Sequence, residues 1–152
     1  MRAILLNRLT CRKTVLLFSA ILFSFVAFAQ PANDNCASAI TLTSNISCNN
    51  IVYTITNATA SGGVPAGCSA GTHYDVWFKF TAVSATQTAT ISNRGTGFTN
   101  PEVQIFSGTC VGLVSAACVT GSTVTAGGLT IGNTCYVRVS NVAATVPSNG
   151  TF

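Results

Sequence analysis

His73 stands two residues before Asp75, and with Asp34 and Glu102 it makes up the acid-base inventory of residues 30–152: one histidine, two aspartates and one glutamate. General acid-base catalysis needs several tuned groups within hydrogen-bond reach of one another. No nucleophile elbow or metalloprotease motif accompanies these four residues. His73 follows the loop-like Ala70-Gly71-Thr72 and reads as a solvent-facing loop histidine, so the chain is expected to be non-catalytic.

The same carboxylates bear on metal binding. Asn33-Asp34-Asn35 and Asn49-Asn50 offer oxygen ligands, but calcium takes six to eight oxygens with carboxylates among them. Three carboxylates spread over the whole domain suit turn and capping roles better, so no cofactor is expected. Calcium at Asp34 or Asp75 is the minor alternative, and Asp75, opening a strand after a loop, is the better residue to mutate.

Sugar binding would use aromatic faces, and Trp77, Tyr53, Tyr74 and Tyr136 are the available platform. Trp77 alternates onto the same side of its segment as Asp75 and Lys79, a hint of exposure, yet a sandwich commonly buries its only tryptophan. Packing in the core or at a sheet edge is therefore the first expectation for Trp77 and a ligand platform the second.

Seven cysteines occur in 152 residues. Cys11 lies ahead of an apolar run, and Cys36, Cys48, Cys68, Cys110, Cys118 and Cys135 remain after it. An even set in an exported chain reads as disulfides. Zinc would need close CxxC pairs or a histidine at matched spacing, and neither occurs. Cys110 and Cys118 flank a short excursion, and a bridge there would close nine residues, contributing roughly 2 to 3 kcal/mol. Cys48 with Cys68 is the second expected pair, leaving Cys36 and Cys135, which could join each other.

The formal net charge of +4 is misleading. Arg2, Arg8, Arg12 and Lys13 precede the apolar run Val15 to Ala29, which closes on the small-x-small pattern Ala27-Phe28-Ala29. Residues 1–29 are read as a secretory signal peptide cut after Ala29, in preference to an uncleaved anchor, because the run is short for a span and meets no stop-transfer pattern. Past it, Lys79, Arg94 and Arg138 balance Asp34, Asp75 and Glu102. Such a neutral chain lacks the basic patch that nucleic-acid binding requires. A single domain, residues 30–152, secreted or at the outer cell surface with no membrane span after cleavage, is the expectation.

The elements that must position these residues read as strands, with apolar residues alternating at period two between Gly, Asn and Pro punctuation. The clearest is Asp75 to Thr81, with Val76, Phe78 and Phe80 on one face. Others are expected over 51–59, 88–92, 102–106, 114–119, 122–126 and 135–141. Short strands at this spacing predict an all-β, antiparallel β-sandwich of jelly-roll type. Thr151-Phe152 opens another alternating segment after the turn Ser148-Asn149-Gly150. A last strand is therefore expected beyond Phe152, the domain being C-terminally truncated, as against a sandwich with an unpaired edge.

Four segments carry a resemblance: Pro31-Ala-Asn-Asp-Asn-Cys36-Ala-Ser-Ala-Ile40, Asp75-Val-Trp-Phe-Lys-Phe-Thr-Ala82, Pro101-Glu-Val-Gln-Ile-Phe-Ser-Gly-Thr-Cys110 and Leu129-Thr-Ile-Gly-Asn-Thr-Cys-Tyr-Val-Arg-Val139. Together they resemble a β-sandwich found in exported multidomain proteins of bacteria with type IX secretion, and are similar to the bacterial pre-peptidase C-terminal domain. That family pattern carries an aromatic where Cys135 stands and finishes on a Gly-x-aromatic strand bearing a cysteine, of which Gly150 to Phe152 is present.

The resemblance implies a jelly-roll-like module beside further domains in the same full-length chain. It speaks for fold more than function. The first functional expectation is a non-catalytic adhesion, display or spacer module contacting an unidentified surface ligand. The alternative is a carbohydrate-binding or substrate-targeting module attached to a secreted hydrolase, with a glycan as partner.

Overall fold

The computed structural model describes residues 29–44 and 51–152. The proposed signal peptide to Phe28, together with Cys11, Cys48 and Asn49-Asn50, lies outside the described residues.

Seven strands follow a 3-10 turn at Cys36–Ser38: β1 Ile40–Thr41, β2 His73–Thr81, β3 Gln87–Thr90, β4 Pro101–Thr109, β5 Gly112–Thr120, β6 Thr123–Ala126 and β7 Thr134–Val142. They form a five-stranded sheet in the order β1-β2-β7-β4-β5 and a two-stranded sheet of β3 and β6. The chain is an all-β sandwich of two packed sheets. All pairings are antiparallel except the short β1–β2 contact, where Ile40 and Thr41 run parallel to Phe78 and Lys79.

The alternation in β2 is what divides the large sheet into two faces. Val76, Phe78 and Phe80 point inward with Val137 and Val139 of β7 and Val103 and Ile105 of β4, and this apolar layer packs against Val124 and Ala126 of β6 and Ile91 just after β3. Burying such side chains contributes roughly 25 cal/mol per Å² of apolar surface, the main driving term for the fold.

The outer face buries Trp77, as the first expectation for that residue had it. Cross-strand register stacks Asp75, Ser140 and Glu102 in one row and Trp77, Arg138, Gln104 and Cys118 in the next. Instead of meeting water, these rows lie beneath the N-terminal segment and the loop 61–72, and Asp75, Trp77, Glu102 and Gln104 are all fully buried. β2 and β4 are therefore covered on both sides.

The expected strand over 51–59 is absent as a regular element. The segment makes isolated bridges, Thr54 with Thr151 and Ala60 with Tyr74, and a left-handed residue at Asn57 turns it away from a ladder. Tyr53 still exchanges both backbone hydrogen bonds with Phe152, and Ile55 N–H donates to the Gly150 carbonyl. Gly150 has no room for a side chain there, since an added Cβ would run into Ile55.

The cystines join Cys36 to Cys110 and Cys68 to Cys118. This replaces the expected local pairs. Cys110 sits at the β4–β5 hairpin tip, and β5, extended from Gly112 to Cys118 with one irregularity at Ala116, carries the second cysteine well over ~10 Å away, outside the ~7 Å Cα limit for a bridge. Both cystines instead hold covering segments onto the outer face. Their sequence separations of 74 and 50 residues correspond to about 4 kcal/mol each by the chain-entropy estimate, more than the nine-residue loop would have given. Cys135 is buried on the inner face without a disulfide partner among the described residues, and burial raises its thiol above the ordinary value.

Candidate functional site

The chemistry-bearing residues converge on the outer face, under loop 61–72. Asp75 begins the cluster. Its Oδ1 accepts a hydrogen bond from Ser61 Oγ at 2.7 Å and another from Trp77 Nε1 at 3.2 Å. Its Oδ2 lies 3.8 Å from Arg138 Nη1. Burial pushes the Asp75 carboxyl up to about 6, against the opposing pull of the Ser61 hydrogen bond and the Arg138 charge.

Arg138 is central because β7 lies between β2 and β4. Its Nη2 donates to Gln104 Oε1 at 2.7 Å and lies 3.7 Å from Glu102 Oε1. The guanidinium stacks over Phe106, 5.8 Å from the ring centroid. Burial lowers its pKa, opposed by the two carboxylates. Gln104 Nε2 passes the network on to the Ala66 carbonyl and to Ser115 Oγ.

Glu102 anchors the loop. Its Oε2 accepts from both the backbone N–H and the hydroxyl of Ser69, at 2.9 and 2.7 Å. His73 Nδ1 lies 3.2 Å from Glu102 Oε1, and its Nε2 lies 3.1 Å from the Ser69 carbonyl. Gly67 must be glycine, because an added Cβ would collide with the Glu102 carboxylate and the His73 ring. His73 is thus the first residue of β2 with a side chain only 13% exposed. The expectation of a solvent-facing loop histidine is corrected.

Ser69, His73 and Glu102 share the residue types of a hydrolytic triad, but their roles are wired differently. Nucleophilic catalysis needs the serine hydroxyl against the imidazole base. Here the hydroxyl donates to the carboxylate and the imidazole Nε2 meets a backbone carbonyl. The three groups lock a loop onto a sheet.

Asp34 belongs elsewhere. Its carboxylate holds the backbone N–H and hydroxyl of Thr59, a tie between two loop segments. Thr59 in turn accepts the Asp75 N–H through its carbonyl, and the cation beside the Asp75 carboxylate is the Arg138 guanidinium. The one clustered trio of metal-ligand types among the described residues, Cys68, Glu102 and Cys118, has both sulfurs committed to the cystine.

The aromatic residues divide between the two faces. Trp77 is 0% exposed and packs on Phe106 with centroids 5.6 Å apart, its backbone clasped by Asn33 through a side-chain and a main-chain hydrogen bond. Tyr136 is half-buried against that outer cluster. Tyr53 and Tyr74 pack instead against the inner core. The four do not form one platform, and Trp77 offers no free face.

Two cavities accompany these layers. One of about 350 Å³ lies under loop 61–72, with Ser61, Ser69, His73 and Arg138 in its wall. Arg138 Nε, Asp75 Oδ2, Glu102 Oε1 and His73 Nδ1 are buried without a hydrogen-bond partner among the described residues. The second, about 690 Å³, opens on the inner face between β3 and the segment Ile51–Tyr53.

Residues 32–152 match the profile of a family described as galactose binding domain-like, in its type IX secretion-associated form. The chain belongs to this family. No curated protein and no solved structure matches it. A β-sandwich module associated with type IX secretion is what the match and the two-sheet architecture together give, and no helix among the described residues is long and apolar enough to cross a membrane.

What sequence reading missed is the pairing of His73 with Glu102 and the burial of Arg138. The available signal was weak: an acid or base at alternate positions of three separate strands, at 75, 102 and 138, each on the face opposite the apolar residues.

Proposed function

We propose that the chain is a non-catalytic binding and display module of a larger exported protein, secreted or held at the outer surface, whose sandwich carries its contacts on exposed loops. The observation that carries this reading is the use of the polar side chains: Asp75, Glu102 and His73, the groups best suited to acid-base chemistry, take contacts that hold loop 61–72 to the sheet. Long-range cystines restrict unfolding outside the cell, which suits a mechanical spacer between adhesive domains. Membership of a type IX secretion-associated family supports export, as does the charge and hydropathy pattern of residues 1–29. The resemblance of its strand motifs to the pre-peptidase C-terminal domain supports a module that accompanies other domains.

A second reading has its own observation. The cavity under loop 61–72 offers Arg138, His73 and two serines, and buried charged atoms without partners suit a polyhydroxylated ligand that both donates and accepts hydrogen bonds. Glycan binding there would not use Trp77 as a stacking face.

The test is a polysaccharide and glycan array probed with oxidised protein comprising residues 30–152, beside an Ala70→Trp variant that narrows the cavity rim. A spacer gives no specific signal with either protein. A glycan reader gives a signal that Ala70→Trp abolishes. Turnover of ester, glycoside or peptide substrates by the purified protein would overturn the non-catalytic reading.

A further inference from the structure

The cavity of about 350 Å³ under loop 61–72 is walled by residues between Ala60 and His73 together with Arg138, all of them described. Arg138 is the one permanent charge in that wall. Its Nη1 and Nη2 face Asp75, Gln104 and Glu102. Nε is the guanidinium nitrogen left with neither a hydrogen bond nor an ion pair among the described residues. The side chain is 2% exposed, and a buried N–H without an acceptor bears the full cost of its desolvation. The wall therefore holds a donor with nothing to donate to.

Charge decides what kind of acceptor fits. Asp75 and Glu102 stand behind Arg138 and do not reach the wall. With two carboxylates against one guanidinium, the cluster carries no net positive charge even when His73 holds a second proton, so a carboxylate, sulfate or phosphate gains no attraction from it. An ammonium fares no better. The basic side chains it meets first are Arg138 and His73, and a cation against a guanidinium is repelled. A neutral oxygen is what remains, and an amide carbonyl accepts a hydrogen bond more strongly than a sugar hydroxyl does.

The rest of the wall suits the remainder of an acetamido group. Val64, Pro65, Ala66 and Ala70 supply apolar surface, and Val64 is packed on the Trp77–Phe106 cluster, so a methyl group has a fixed surface to lie against. Ser69 and Thr72 supply hydroxyls for the oxygens of a sugar ring. Ala70, Gly71 and Thr72 are exposed, which opens the cavity to solvent on that side.

We infer that this cavity receives the acetamido group of an N-acetylated amino sugar, its carbonyl accepting from Arg138 Nε and its methyl lying against Val64 and Pro65. The inference rests on the glycan reading of the same cavity and narrows it from any polyhydroxylated ligand to one class.

The experiment titrates the oxidised protein comprising residues 30–152 with N-acetylglucosamine, glucosamine, glucose, glucuronate and N-acetyllysine, following backbone amides and the Arg138 Nε–H by NMR. N-acetylglucosamine is expected to shift the amides of loop 61–72 and the Arg138 Nε–H, and to bind at least about tenfold more tightly than the other four, because its carbonyl pairs the buried donor and its ring meets the hydroxyls. Ala70 is exposed at the rim, so Ala70→Trp is expected to abolish these shifts and leave the melting temperature unchanged. Equal binding of glucose, or tighter binding of glucosamine or glucuronate, would overturn the acetamido assignment and leave the glycan reading standing. Equal binding of N-acetyllysine would overturn the assignment to a sugar. Silence from every sugar at about 0.1 M, well above a millimolar dissociation constant, would overturn this inference and the glycan reading together.

Discussion

The two faces of the five-stranded sheet are built on opposite terms. The inner face is apolar and open at one end, its valines and phenylalanines bordering a cavity of about 690 Å³. The outer face holds two carboxylates, a guanidinium and an indole, and is closed by loops tied down with two cystines. The comparison teaches where the fold's precision lies. An apolar layer tolerates an unfilled slot, because each side chain there loses only part of its contacts. A buried ionic layer does not, since removing one partner leaves the others charged and unsolvated.

Arg138→Met is therefore expected to have the largest effect, about 3 to 5 kcal/mol in urea unfolding of the oxidised protein, because Asp75 and Glu102 keep their burial and lose their shared counter-charge. A loss below about 1 kcal/mol would mean that the outer cluster is hydrated, and the contrast between the faces would fail. The Cys68→Ser, Cys118→Ser double variant comes next. Removing that cystine is expected to cost about 2 to 4 kcal/mol and to free loop 61–72, seen as new proteolytic cleavage there while β4 to β7 stay resistant.

These outer-face features were the least legible in the sequence, and the reason is physical. Period-two alternation assigns side chains to a face from local order alone, so β2, β4, β5 and β7 were readable to within a few residues at each end. Whether that face meets water depends on what covers it. The coverage comes from Asn33, Ser61 and Ser69, which look like ordinary loop residues until β2, β7 and β4 align. Cysteine pairing failed for the same reason: Cys110 and Cys118 are near in sequence, and the extended β5 strand holds them apart. Tyr53 and Ile55 pointed inward as their spacing suggested, but their ladder to residues 150–152 pairs positions nearly a hundred apart.

Asp75 offers a subtler probe of the outer face. Its carboxyl holds its proton to about 6 in the fold against an ordinary 3.8. Between those two values the unfolded chain releases the proton while the folded chain retains it, so stability falls as pH rises through this window and levels off above it. Two units correspond to about 3 kcal/mol. Asp75→Asn is expected to flatten that part of the stability profile, measured by urea unfolding at a series of pH values from 4 to 7. An unchanged slope would move its origin to another group.

Val139→Ala tests the inner face and carries the smallest expected effect. Val139 is buried but borders the cavity, so truncation removes two methyl groups next to space that is already empty, and the added cavity term is small. The expected loss is about 1 to 1.5 kcal/mol, the transfer term alone. Ile105→Val is the reference, a single methylene removed from a buried site on the same face that does not line the cavity, expected to cost about 1 kcal/mol. A Val139→Ala loss above about 2.5 kcal/mol, the range of a full cavity term, would mean that the space beside Val139 is filled.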